Sequence, residues 1–175
     1  MAKAKVNTFF SIGEHIVYPI QGVGEIKAVE KRIFKDQEVY YYEIYFETPD
    51  MTVMVPVNNA ESIGMRKIVS EKEALAALEL IGQDYVPVAA DWKARYQLNL
   101  ELLKKGSIND IAVVVRALYD RSKLKELPIL ERKLYDSAMK LLIDEISFSL
   151  KKTKSESEAL IFERLEIEKK HLSEK

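Results

Sequence analysis

Residues 65–78 read MRKIVSEKEALAAL, and within this stretch the chain changes its grammar. The β-branched pair Ile68 and Val69 closes a short segment of strand type. Ser70 and Glu73 then stand at the spacing of a capping box, in which the serine accepts the N–H of the third helical residue and the glutamate reaches back. Alanine and leucine follow, the residues that lose least on entering a helix. A boundary between β structure and helix therefore falls near residue 70.

Upstream of it the chain reads as strands at 14–18 (EHIVY), 22–32 (GVGEIKAVEKR), 37–47 (QEVYYYEIYFE), 51–57 (MTVMVPV) and 65–69 (MRKIV). Tyrosines and β-branched residues between short turns are the strand signature. Short strands so closely spaced suggest a small twisted sheet or half-open barrel. Pro56 lies inside the fourth strand and cannot donate to a ladder, so that strand should have an exposed edge.

Downstream, the first helix should end near Gly82, and 83–90 (QDYVPVAA) reads as a linker. Asp91 can cap a helix over 92–105 that Gly106 stops. Ser107-x-x-Asp110 opens a third, to about 122. Pro128 stands near the start of a fourth, to about 150, where its missing N–H costs nothing. Ser155-x-x-Glu158 should begin the last. Val113, Val114, Val115 and Leu118 read as core by periodicity. The fold class is α+β.

The bulk composition permits this. The chain has 175 residues, 47% hydrophobic and 31% charged, with a net charge of −1. That net value hides an asymmetry. Residues 1–70 hold 8 Lys/Arg against 9 Asp/Glu, residues 91–154 hold 14 against 9, and residues 155–175 hold 4 against 6. A locally basic helical module is a modest signal for phosphate contacts, and more often just a solvated face. There is no cysteine, which excludes disulfides and cysteine-based zinc sites. The start, MAKAKVNTFF, does not read as a signal peptide, and no apolar run approaches the ~20 residues of a membrane span. A reducing cytoplasm is the expected location.

Catalytic apparatus is not expected. His15 and His171 lack metal-ligand partners at helical spacing, and no G-x-S-x-G surrounds a serine. Gly22-Val23-Gly24 opens a strand and reads as a β-turn, not a phosphate loop. Asp144 and Glu145 are adjacent and point to different azimuths. We expect no enzyme activity, metal, cofactor or small-molecule substrate.

Three stretches together resemble the CarD (CdnL-type) family of bacterial transcription regulators. The first is Gly13-Glu14-His15-Ile16-Val17-Tyr18-Pro19 with Gly22-Val23-Gly24. The second is Met51-Thr52-Val53-Met54-Val55-Pro56-Val57 with Gly64-Met65-Arg66. The third is Asp91-Trp92-Lys93-Ala94-Arg95-Tyr96, then Gly106-Ser107, Val114-Val115-Arg116-Ala117-Leu118-Tyr119 and Glu131-Arg132-Lys133. The resemblance implies a Tudor-like β module over 1–69 that binds the β subunit of RNA polymerase. It implies a helical bundle over 70–154 that touches promoter DNA near the upstream edge of the −10 element and stabilises the open complex. It also implies a nucleoid-associated cytoplasmic location. Residues 155–175 form a helical tail to which it assigns no role.

Carried over position by position, the resemblance gives Arg32, Ile44, Met54, Val55 and Pro56 to the polymerase contact. An edge strand can accept another chain's strand, with backbone hydrogen bonds for affinity and alternate side chains for selectivity. The lesser alternative is that Ile44 and Met54 are sheet core and Arg32 a plain surface charge. The resemblance makes Trp92 a wedge in the minor groove, filling a partly unstacked base step. Spacing alone would put Trp92 and Tyr96, four apart on one helix face, in the core. Lys93, Arg95, Arg132 and Lys133 match basic positions that clamp phosphates, giving affinity and salt dependence more than sequence reading. For Lys104, Lys105 and Arg116 a solvated face is the expected reading. Ala94 and Gln97 stand where some relatives are basic, so DNA binding by the protein alone should be weak. The competing reading is a protein-only adaptor of polymerase, with Trp92 in the core and no DNA contact.

Overall fold

The computed structural model describes residues 8–83 and 91–172. The start of the chain and the 83–90 linker from residue 84 on lie outside the described residues, as do 173–175. Contacts divide the chain into two compact units, Met1–Tyr18 with Val23–Lys67 and Pro19–Gly22 with Ile68–Lys175.

The first unit is an antiparallel five-stranded sheet. Its strands are β1 (His15–Tyr18), β2 (Gly22–Phe34), β3 (Gln37–Phe46), β4 (Met51–Pro56) and β5 (Arg66–Lys67), in the order β4-β3-β2-β1-β5. β2 and β3 form a long hairpin closed by Lys35 and Asp36, both at positive φ (49° and 60°), a two-residue turn whose twist suits the strands. Between Ile26 and Ala28 the register shifts by a bulge, which turns the side chains beyond it to the other face. Ile16, Ile26, Tyr42, Ile44, Phe46, Val55 and Met65 make the core of this unit. The Phe10 N–H donates to the Tyr42 hydroxyl, and the two rings meet edge to face.

Two expectations are corrected here. Gly24 is not part of a turn: it lies inside β2, and a Cβ there would stand 2.7 Å from Ile44 and 2.8 Å from Phe46. Its role is to let the backbone lie against those two side chains. The last strand is also shorter than the 65–69 expected. Only Arg66 and Lys67 pair with β1, because Val69 bonds elsewhere: its N–H donates to the Glu145 carboxylate and its carbonyl accepts from the Ser149 hydroxyl.

The second unit has α1 (Glu71–Ile81), α2 (Trp92–Lys105), α3 (Ile108–Leu124), α4 (Ile129–Leu150) and α5 (Lys154–Leu172). Its helix starts follow the capping chemistry of the sequence. Ser70 and Glu73 close both arms of their box, Asp91 accepts the Ala94 N–H, and Ser107 accepts the Asp110 N–H. Gly106 adopts the left-handed conformation that ends α2 (φ 76°). The exception is α5, which begins earlier than Ser155-x-x-Glu158 implies. Thr153 and Glu156 form the box, because Lys151 turns left-handed and ends α4 just before them. α3 and α4 pack on each other and on the remaining helices around Val114, Val115, Leu118, Ala138, Leu142 and Ile146, while Val113 is only half-buried.

Candidate functional site

Two surfaces carry the residues singled out by sequence, one in each unit. In the sheet, β4 is an outer strand, as Pro56 requires. Its pairing with β3 is unbroken, from Phe46 opposite Met51 to Tyr41 opposite Pro56. Side chains alternate between faces along a strand. Val55, opposite Tyr42, and Val53, opposite Ile44, therefore point into the core. Met54, opposite Glu43, and Pro56, opposite Tyr41, point to the other face and are half-buried.

The bulge in β2 puts Arg32 on that same outward face, opposite Val39 and one alternate position beyond Glu30. The Arg32 guanidinium donates to the Glu30 carboxylate at 3.0 Å, an exposed pair. Arg32, Met54 and Pro56 thus share a face, with Tyr41, Glu43 and Tyr45 between and beside them. The Tyr45 phenol ionises above its ordinary range because it is hydrogen-bonded to the Asp50 carboxylate. Ile44 is fully buried (0% exposed) and Val55 nearly so, so neither side chain is available for contact. For Ile44 the core reading holds; Val55, expected at the polymerase contact, is core as well, and any part it takes at the edge is through its backbone. The sequence reading missed Ile33 and Phe34, exposed beside the hairpin turn. Two apolar residues directly before Lys35-Asp36 were the available signal.

In the helical unit the other surface is built from two helix starts. Trp92 is the first residue of α2 and is 39% exposed; Tyr96 is the one packed against the core. The shared-core reading of the pair therefore fails, and Trp92 stands at the surface. The Lys93 ammonium lies 5.9 Å from the centre of its ring, a cation–π contact. Arg132 and Lys133 are exposed near the start of α4. Cations this close to a helix N-terminus gain nothing from the dipole, which favours anions there.

Arg95 departs from expectation. It is 7% exposed, with its Nε 2.7 Å from one Glu131 oxygen and an Nη 2.8 Å from the other. Glu131 is itself fully buried, in the first turn of α4. A bidentate buried pair of this kind commits the guanidinium inward. Arg95 is not presented to a phosphate, and it ties the start of α2 to the start of α4. Trp92 and Lys93 on one side, and Arg132 and Lys133 on the other, flank that tie in sequence. Ile129 and Leu130, exposed beside them, were not singled out by the sequence reading. Arg116 is likewise buried rather than solvated. It donates to the Ile81 carbonyl at the end of α1 and to Asp120. Lys104 and Lys105 are exposed in the last turn of α2, where their charge suits the helix dipole.

Among the described residues there is no cluster of His, Asp or Glu arranged to hold a metal ion, and no helix is long and apolar enough to cross a membrane.

Comparison with known proteins gives both units a family. Residues 10–69 match the CarD-like/TRCF RID domain, which is Tudor-like, and residues 76–162 match the CarD C-terminal domain. A protein of Bacillus subtilis (strain 168) bearing the name "Putative transcription factor YdeB" is 34% identical over 137 residues, covering 78% of this chain and 90% of that protein. With both domain models matched in order along its length, the chain belongs to the CarD (CdnL-type) family of transcription regulators.

Proposed function

We propose that this regulator binds the β subunit of RNA polymerase through the open edge of β4 and stabilises the open promoter complex by minor-groove contact of Trp92 near the upstream edge of the −10 element. The observation that carries the reading is the exposed Trp92 at a helix start, with Lys93 against its ring. A large flat apolar side chain held out of the core has the shape to fill an unstacked base step, and the neighbouring cations suit phosphates. Arg32, Met54 and Pro56, on one face of the sheet, the last two on the edge strand and Arg32 two strands in, supply the side chains of the polymerase contact. The protein acts on the nucleoid, in the cytoplasm.

The DNA grip belongs to the complex more than to the free protein. Ala94 and Gln97 add no charge, and Arg95 is spent on Glu131. Polymerase raises the effective concentration of promoter DNA at Trp92 and offsets the weak intrinsic affinity. The protein-only adaptor gains one supporting observation, the exposed Ile129 and Leu130 beside Arg132. Open-complex lifetimes measured with and without Trp92→Ala separate the two. A shortened lifetime with polymerase still bound supports the wedge; an unchanged lifetime favours the adaptor.

A further inference from the structure

The stripe that buries α2 is unusual in composition: its buried residues are Arg95, Asn99 and Leu103, spaced four apart. Only the last is apolar. The N-terminal half of α2, which carries Trp92, has no fully buried hydrophobic anchor. Beside the partly buried Tyr96, what it has is the Arg95–Glu131 pair, with both partners out of water and two oxygens engaged by two nitrogens. Asn99, one turn further on, is also buried, and among the described residues its amide nitrogen has no hydrogen-bond partner.

This is a poor arrangement for stability alone. Desolvating two charges consumes most of what their attraction returns, and a well-packed apolar pair of similar volume often holds a fold as well or better. What an apolar pair does not supply is direction. A guanidinium fork on a carboxylate fixes both helices in one relative rotation and register, whereas aliphatic side chains slide at little cost.

We propose that Arg95 and Glu131 are positioning residues for the DNA contact. Their bidentate pair sets the azimuth at which α2 presents Trp92, and it does so relative to the Arg132 and Lys133 that follow Glu131 on α4. The proposal rests on the reading of Trp92 as the DNA-contacting residue. It departs from the expectation for Arg95, which acts from inside the bundle and not on a phosphate.

The experiment uses the full chain and three variants: Arg95→Met with Glu131→Leu, the exchange Arg95→Glu with Glu131→Arg, and Trp92→Ala as the reference for lost contact. Three quantities are measured: the denaturant midpoint, the fluorescence anisotropy and iodide quenching of Trp92 in the free protein, and open-complex lifetime with polymerase. The apolar pair should keep the midpoint at or above that of the parent. It should nevertheless change Trp92 anisotropy and quenching, and shorten the lifetime several-fold toward the Trp92→Ala value. The exchange should recover part of both signals. An apolar pair that leaves Trp92 fluorescence unchanged overturns the proposal, as does one whose lifetime loss only tracks a lowered midpoint. If Trp92→Ala itself leaves the lifetime unchanged, the function reading fails. The fluorescence comparison then still decides whether the pair orients Trp92.

Discussion

Met54 lies directly across from Glu43 on the outward face of the sheet. A glutamate at position 54 would oppose a like charge at close range, which costs about 0.2–1 kcal/mol in a ladder. Met54→Glu should therefore leave the sheet folded, with a small fall in its denaturation midpoint. It should also abolish capture of RNA polymerase by the full-length protein, since it charges the apolar part of the edge. Retained capture would remove Met54 from the interface.

Trp92→Ala should separate the two activities the other way. The side chain stands at the surface and outside the bundle core, so the stability cost should be about 1 kcal/mol or less. Polymerase binding should persist while open-complex lifetime falls. If both substitutions failed at the same assay step, the division of labour between the two units would be wrong.

Gly24→Ala tests packing in the sheet. The added methyl would sit well inside contact distance of Ile44 and Phe46, both fully buried. Overpacking of this sort costs about 1–3 kcal/mol. Thermal unfolding should show the loss, and Phe46→Leu in the same chain should recover part of it by vacating ring atoms.

Arg116→Met should destabilise the helical unit by about 2 kcal/mol, because it strips a charged donor from the buried Ile81 carbonyl. Asp120→Asn should cost less, since Asp120 is partly solvated and the carbonyl contact survives. Urea denaturation of both variants gives the comparison.

The start of α5 should respond to acid. The Glu156 carboxyl is held below its ordinary range by the Thr153 N–H and hydroxyl. A carboxylate with a lowered folded-state pKa stabilises fully above its unfolded value and loses that contribution as pH falls through the folded one. Helicity measured by circular dichroism across pH 6 to about 2 should contain this component. Glu156→Gln should remove it.

Much of the architecture was legible because its signals are local. Ser70, Asp91 and Ser107 each reach an N–H three residues away, and Pro56 declares an edge by lacking a donor. The miss at α5 was also local: two capping pairs overlap there, and the left-handed Lys151 chose the earlier. What the sequence hides is tertiary. Arg95 finds its carboxylate 36 positions away, and Arg116 its carbonyl 35 away. Neither arginine differs in its neighbourhood from a solvated one, which is why Arg95 reads as a phosphate contact and Arg116 as part of a solvated face. Ile44 was ambiguous for a related reason. Alternation says which residues share a face, but only the fold says which face is dry.

An edge open to a partner's strand is open to a second copy of itself, and a fully paired twin would be the first step toward a fibril. Pro56 withholds a backbone donor within β4, so no second β4 can complete a ladder along its whole length. The residue that advertises the edge therefore also rations it, leaving a free ladder too short to propagate.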